Sequence, residues 1–95
     1  MCRDDILAIL SEKKDLFSKK YGVKRIGVFG SYAREEASEK SDIDIFAEMP
    51  PKFTLLTGLQ EELESFLGRK IDLVRLRERM NPRLRENIMR EGIDA

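Results

Sequence analysis

The stretch Asp42–Glu48, "DIDIFAE", alternates polar and apolar residues, a pattern that predicts a β-strand with one buried face. Pro50 and Pro51 end this strand, because proline donates no backbone hydrogen bond to a neighbouring strand. Successive side chains of a strand point to opposite faces, so Asp42 and Asp44 lie on one face and Ile43 and Ile45 on the other. The chain must therefore build a sheet that presents two neighbouring carboxylates.

The remaining segments predict four helices and two further strands around this one. Apolar residues recur at helical spacing in the longer helices, and Asn81-Pro82 is a typical helix start. The predicted helices are Asp4–Lys20, Tyr32–Ala37, Thr54–Leu67 and Pro82–Arg90; the predicted strands are Val23–Phe29, Asp42–Glu48 and Lys70–Leu76; Ser38–Ser41 is a polar loop. This order predicts an α/β (α+β) protein, a two-layer sandwich in which about four helices cover a three-stranded sheet, as one domain of residues 1–95.

Composition restricts the chemistry and the partners. The 18 basic and 18 acidic residues cancel, so there is no bulk attraction to nucleic acid or to membranes. With no histidine and a single cysteine, metal binding must use oxygen ligands, which favours Mg²⁺. No apolar run approaches the length of about 20 residues that spans a bilayer, so we expect a cytoplasmic protein. A chain this short buries a small core, which a homodimer or another partner would extend.

The aspartates are well spaced for a cation. The Cα atoms of Asp42 and Asp44 are about 6.6 Å apart along a strand. Two charges at about 6 Å repel by about 3 kcal/mol at an effective dielectric of about 20, a cost that a bound cation would remove. Asp72 lies in a similar position in the third predicted strand. If that strand lies beside the second, three carboxylates share a face and suit one or two Mg²⁺ ions that also bind phosphate oxygens.

Gly30-Ser31 stands where a predicted strand turns into a short helix. Backbone N–H groups at a helix start attract anions, and glycine lets a phosphate approach closely. A Gly-Ser pair alone is more often a simple turn, and a single Asp-x-Asp is more often an exposed strand or loop. Together, however, Gly30-Ser31 and the three aspartates favour a site for a Mg-nucleotide.

At these residues the sequence resembles the minimal nucleotidyltransferases of the DNA polymerase β superfamily. The motif is Gly30-Ser31, then Asp42 and Asp44, then Asp72, within "GVFGSYAREEASEKSDIDIFAE"; "NPRLRENIMREGI" resembles the family's C-terminal segment. The resemblance implies the nucleotidyltransferase fold with a mixed sheet. The sequence departs from the family pattern at Glu35, where the family commonly has glycine. The glutamate would place added negative charge near the phosphates.

The resemblance also implies a reaction, in which AMP passes from ATP to a hydroxyl and pyrophosphate is released. Asp42, Asp44 and Asp72 would bind Mg²⁺ and carry catalysis, Asp72 helping to deprotonate the acceptor. Gly30 and Ser31 would hold the triphosphate. Small members of the family resemble antitoxins that adenylylate a tyrosine of a partner HEPN-domain toxin.

Several alternatives stay open at this level. Arg34 could reach the triphosphate or be a solvated charge. The arginines from Arg75 to Arg90 could be solvated charges that offset nearby glutamates, or some of them could bind a partner or a phosphate. The chain could also be a binding antitoxin without catalysis, or a transferase acting on a small molecule.

Overall fold

The computed structural model describes residues 1–38 and 40–95, and this part of the chain contains four helices and four strands. The helices are α1 (Arg3–Tyr21), α2 (Gly30–Ala33), α3 (Phe53–Leu67) and α4 (Pro82–Glu91), and the strands are β1 (Arg25–Phe29), β2 (Ile43–Glu48), β3 (Ile71–Arg75) and β4 (Ile93–Asp94). The predicted loop Ser38–Ser41 includes Glu39, which lies outside the described residues. Within the described ranges, no helix is both long enough and apolar enough to cross a bilayer.

The strands form one mixed sheet in the order β3-β2-β1-β4. β1 is antiparallel to both β2 and β4, whereas β2 and β3 run parallel. The α/β class is therefore confirmed, with four strands in place of the predicted three. The additional strand, β4, is held at the edge by pairing with β1 and by two hydrogen bonds of 3.0 Å from the Arg25 guanidinium to the Asp94 carboxylate.

The main core lies between the sheet and the helices α1 and α3. Its fully buried side chains include Ile6, Leu10, Phe17, Ile26, Val28, Ile43, Ile45, Leu59 and Leu63. Burying one such side chain contributes about 1.5–3 kcal/mol, so this layer holds the strands in register.

The opposite face of the sheet carries a smaller cluster in which Ile88 of α4 packs with Phe29, Phe46 and Leu76. Helices therefore lie on both faces, and the two-layer prediction was incomplete. The alternation of β2 explains this, because Phe46 shares a face with Asp44 and needs its own cover.

Helix ends agree with the sequence at two places and differ at one. α1 ends before Gly22, whose N–H donates to the carbonyl of Ser18. Asn81 caps α4, its side-chain oxygen accepting from two backbone N–H groups at 3.0 and 3.2 Å. The short helix was predicted at Tyr32–Ala37, but α2 covers Gly30–Ala33. It stops because the chain reverses at Glu35, which has a positive φ of 59°.

Candidate active site

Asp44 and Asp72 lie side by side on neighbouring parallel strands. The register pairs Asp44 of β2 directly with Asp72 of β3. Paired residues of neighbouring strands point to the same face, about 5 Å apart. From the sequence, the carboxylates were expected to share a face only if β3 lies beside β2, and the two strands are neighbours. The face that carries both carboxylates is the one opposite α1 and α3.

Asp44 is partly buried, and its surroundings disfavour its charge. Burial, the neighbouring charges of Asp72 and Asp42 and a hydrogen bond with Asp72 raise the pKa of Asp44 from 3.8 to about 6, whereas the Arg34 guanidinium acts in the opposite direction. The site therefore holds more negative charge than its own cations balance. A strongly raised carboxyl pKa with specific charged neighbours is typical of functional sites.

Gly30 lies against the Asp44 carboxylate. A Cβ atom placed on Gly30 would lie 3.1 Å from Cγ of Asp44 and would collide with Oδ2. Gly30 also has a φ of +72°, which side-chain-bearing residues rarely adopt. Phe29, directly before it, pairs with Asp44 across the β1–β2 ladder. The start of α2, with Ser31 in its first turn, is therefore fixed next to the Asp44–Asp72 pair.

Asp42 lies just outside β2 and is exposed. It is close enough to contribute to the raised pKa of Asp44. Even so, in residues 1–38 and 40–95 no three Asp, Glu, Cys or His side chains are grouped as a ready metal site. The structure thus brings together Asp44 and Asp72, and a direct role for Asp42 stays a prediction.

Arg34 follows α2 and is held by two carboxylates. Its guanidinium donates to Glu36 at 3.0 Å and to Glu91 of α4 at 2.8 Å. The predicted phosphate ligand is therefore near the aspartates but already paired. Glu91 was not singled out from the sequence, although it lies in the C-terminal segment that carries the family resemblance.

Residues 10–95 match the family model of the nucleotidyltransferase domain. The chain belongs to the nucleotidyltransferase domain family. It is therefore an enzyme of the nucleotidyltransferase type, and its fold is confirmed as the nucleotidyltransferase fold.

Relatives of known name and structure share this fold over nearly the whole chain. The protein adenylyltransferase MntA of Thermococcus cleftensis is 38% identical over 92 residues, covering 95% of this chain and 92% of the relative. A solved structure provisionally described as a minimal nucleotidyltransferase has a TM-score of 0.80 and 34% identity, covering 98% of this chain and 95% of that one.

A more distant likeness shows the fold alone. It is to a chain in the solved complex of a tri-AMPylated HEPN toxin of Shewanella oneidensis with an MNT antitoxin. The TM-score is 0.61 at 24% identity, and the match covers 97% of this chain and 66% of that one.

Glu35, at the position where the resemblance led us to expect glycine, adopts the left-handed conformation that glycine favours. Its carboxylate lies 3.3 Å from the guanidinium of Arg3 on α1, and Arg3 also donates to the carbonyl of Ala33. The glutamate thus adds a link between α1 and the turn after α2. Its charge, expected from the sequence to lie near the phosphates, is paired with Arg3.

The donor set of this nucleotidyltransferase suits a hard cation. Asp44 and Asp72 supply adjacent carboxylate oxygens, and the raised pKa of Asp44 reflects its burial first and then the neighbouring charges of Asp72 and Asp42, which a divalent ion would offset. Mg²⁺ commonly takes one or two protein carboxylates and completes its shell with water and substrate phosphates. Two carboxylates beside the start of α2 fit that pattern.

Proposed function

We propose that this nucleotidyltransferase is a Mg²⁺-dependent protein adenylyltransferase that modifies a tyrosine of a HEPN-domain partner toxin and so acts as its antitoxin. The observation that carries the proposal is the register that sets Asp44 beside Asp72, with Gly30 against Asp44. The name of the Thermococcus relative supports the reaction, and the Shewanella complex suggests the class of partner.

The reaction would join the tyrosine oxygen to the α-phosphorus of ATP. The bond from that phosphorus to the oxygen bridging the α- and β-phosphates breaks, and pyrophosphate leaves with the bond's electron pair. The tyrosine proton passes to a carboxylate, a role we give to Asp72, which is exposed on β3. Asp42, Asp44 and Asp72 would hold Mg²⁺, which when bound would offset charge on the attacking and leaving oxygens.

The turn after β1 would hold the triphosphate. Phe29, the residue preceding α2, provides no side-chain cap, and the backbone N–H groups of Gly30 and Ser31 would donate to phosphate oxygens. The Ser31 hydroxyl would add one donor. Arg34 would join them after exchanging a glutamate partner for phosphate. We also propose that the reaction takes place in the cytoplasm, where ATP would be available as the donor.

The decisive experiment is label transfer from α-³²P-ATP with Mg²⁺ to the purified product of the neighbouring gene, which the proposal takes to be the HEPN protein. We compare wild type, Asp44→Asn and the control Asp15→Asn, which removes an exposed carboxylate from α1. We expect wild type and the control to label a tyrosine and Asp44→Asn to lose at least about a hundredfold in rate.

The alternative outcome is equally informative. If wild type binds the HEPN protein tightly but transfers no label, the chain is a binding antitoxin on a nucleotidyltransferase fold. If Asp44→Asn labels the partner as well as wild type does, Asp44 has no part in the reaction.

A further inference from the structure

A groove of about 300 Å³ opens between the start of α3 and the end of β3. It is lined by Pro51, Lys52, Phe53, Leu56, Arg75 and Arg77. None of these residues belongs to the candidate active site. The groove is therefore a concave feature apart from the candidate active site, and the proposed chemistry does not use it.

The groove and the aspartates are on different parts of the sheet. Asp72 and Arg75 both belong to β3 but are three residues apart, about 10 Å along the strand, and their side chains point to opposite faces. A ligand in the groove would thus leave the Asp44–Asp72 pair accessible. Substitutions in the groove can accordingly be made without touching the catalytic carboxylates.

The lining of the groove is cationic and apolar. Lys52, Arg75 and Arg77 supply three positive charges with no acidic residue among the six, although the whole chain has no net charge. Phe53 is 78% exposed, the most of any large apolar side chain among the described residues. Exposed aromatic and arginine side chains are typical of the centres of protein interfaces.

Two local features increase the attraction of this groove for carboxylates. α3 begins after Lys52 without a side-chain cap and has no acidic residue in its first turn, so the positive end of the helix dipole is uncompensated. The guanidinium of Arg77 donates to the carbonyls of Arg75 and Arg79, which holds it in place and leaves further N–H groups for a ligand.

We propose that this groove docks an acidic segment of the partner protein, with an apolar side chain against Phe53 and carboxylates on the surrounding cations. A protein segment fits better than a nucleic acid, because half of the lining is apolar and the rest of the chain adds no net positive field. The identity of the partner as the HEPN protein rests on the proposed function.

The test measures affinity for that HEPN protein by calorimetry, and label transfer in parallel. The groove variants are Lys52→Glu with Arg75→Glu, and separately Phe53→Ala. Their matched controls are Lys19→Glu with Lys24→Glu, which reverses two exposed charges elsewhere, and Leu16→Ala, an exposed apolar residue of α1. Arg77 is not substituted, because its hydrogen bonds to the carbonyls of Arg75 and Arg79 stabilise the loop that contains it.

We expect the groove charge reversals to weaken binding about tenfold or more and Phe53→Ala to weaken it severalfold, with both controls within about twofold of wild type. At saturating partner, label transfer by the groove variants returns to the wild-type rate. Equal affinity of all variants, or no binding by wild type, overturns the proposal. The proposal is also overturned if the groove variants lose affinity only for a single-stranded RNA probe and not for the HEPN protein.

The two proposals fail in different ways. If wild type transfers label and the groove variants bind normally, only the groove assignment is wrong. If wild type transfers no label but groove variants bind the HEPN protein weakly, the groove assignment stands and the catalytic proposal fails.

Discussion

The backbone of Gly30 lies so close to the carboxylate of Asp44 that no side chain fits between them. The positive φ of Gly30 and the position of Asp44 on β2 are thus parts of one arrangement. It connects the turn that would hold phosphate to the carboxylate that would hold the metal. A change at either residue is felt at the other.

Gly30→Ala tests this contact directly. We expect loss of label transfer and a fall in unfolding free energy of about 2 kcal/mol or more, because the new methyl group displaces the Asp44 carboxylate as well as straining the backbone. Gly68→Ala is the matched control, since Gly68 has a similar φ of +65° but open space around its Cβ position. It should cost about 1 kcal/mol and leave activity intact. If Gly30→Ala and Gly68→Ala lower the unfolding free energy and the activity equally, the contact between Gly30 and Asp44 is unimportant.

The raised pKa of Asp44 predicts a pH-dependent stability. Between the ordinary value of 3.8 and about 6 the folded chain binds more protons at Asp44 than the unfolded chain, so this residue lowers stability as pH rises through that interval. In EDTA at pH 8, Asp44→Asn should therefore be more stable than wild type by about 1–2 kcal/mol, a figure reduced for solvent screening. Near pH 3.5 the difference should vanish. Urea denaturation across this pH range measures the unfolding free energy, with Asp15→Asn as the control. A gain in stability for Asp44→Asn that does not vary with pH would contradict the prediction.

Glu35 is expected to strain the turn after α2. Glu35→Ala removes the pair with Arg3 and keeps the unfavourable φ of 59°, whereas Glu35→Gly removes the pair and relieves the backbone. The glycine variant should therefore be more stable than the alanine variant by about 1 kcal/mol. Thermal unfolding of both proteins measures this difference. An alanine variant as stable as the glycine variant would mean that the turn carries no strain.

Glu91 competes with nucleotide for Arg34 if Arg34 binds the triphosphate. Glu91→Gln removes a charge from this pair and should lower the KM for ATP about two- to fivefold with kcat little changed, since an exposed pair contributes up to about 1 kcal/mol. Glu86→Gln, an exposed substitution on the same helix, is the control. A raised KM in Glu91→Gln would instead show that Glu91 positions Arg34 for its task.

Local signals predicted the three long helices well, but placed the short helix α2 and the sheet edge poorly. Asn81-Pro82 carries its own capping chemistry, so the start of α4 could be placed from the sequence. β4 has two residues, and its existence depends on pairing with β1 and on the ion pair between Arg25 and Asp94, residues far apart in the chain. Such an element has no periodicity to detect.

The candidate site divides in the same way. Alternation along β2 placed Asp44 on the face opposite the isoleucines, and the similar position of Asp72 in the third predicted strand indicated it as a companion if the two strands are neighbours, which they are. The link from Arg34 to Glu91 could not be predicted, because it depends on where α4 packs. The positive φ of Glu35 could not be predicted either, because the sequence showed only a departure from the residue expected at that position.

The parallel pairing of β2 with β3 has a consequence for the order in which the protein assembles. Parallel neighbours need a crossover, and here all of α3 separates Asp44 from Asp72. During synthesis Asp44 leaves the ribosome well before Asp72, so the antiparallel pair β1–β2 can form before the Asp72 carboxylate is present. The repulsion between the two charges is encountered in a single step, when β3 docks. A nascent chain that has not yet released β3 therefore lacks one of the two paired carboxylates of the candidate active site.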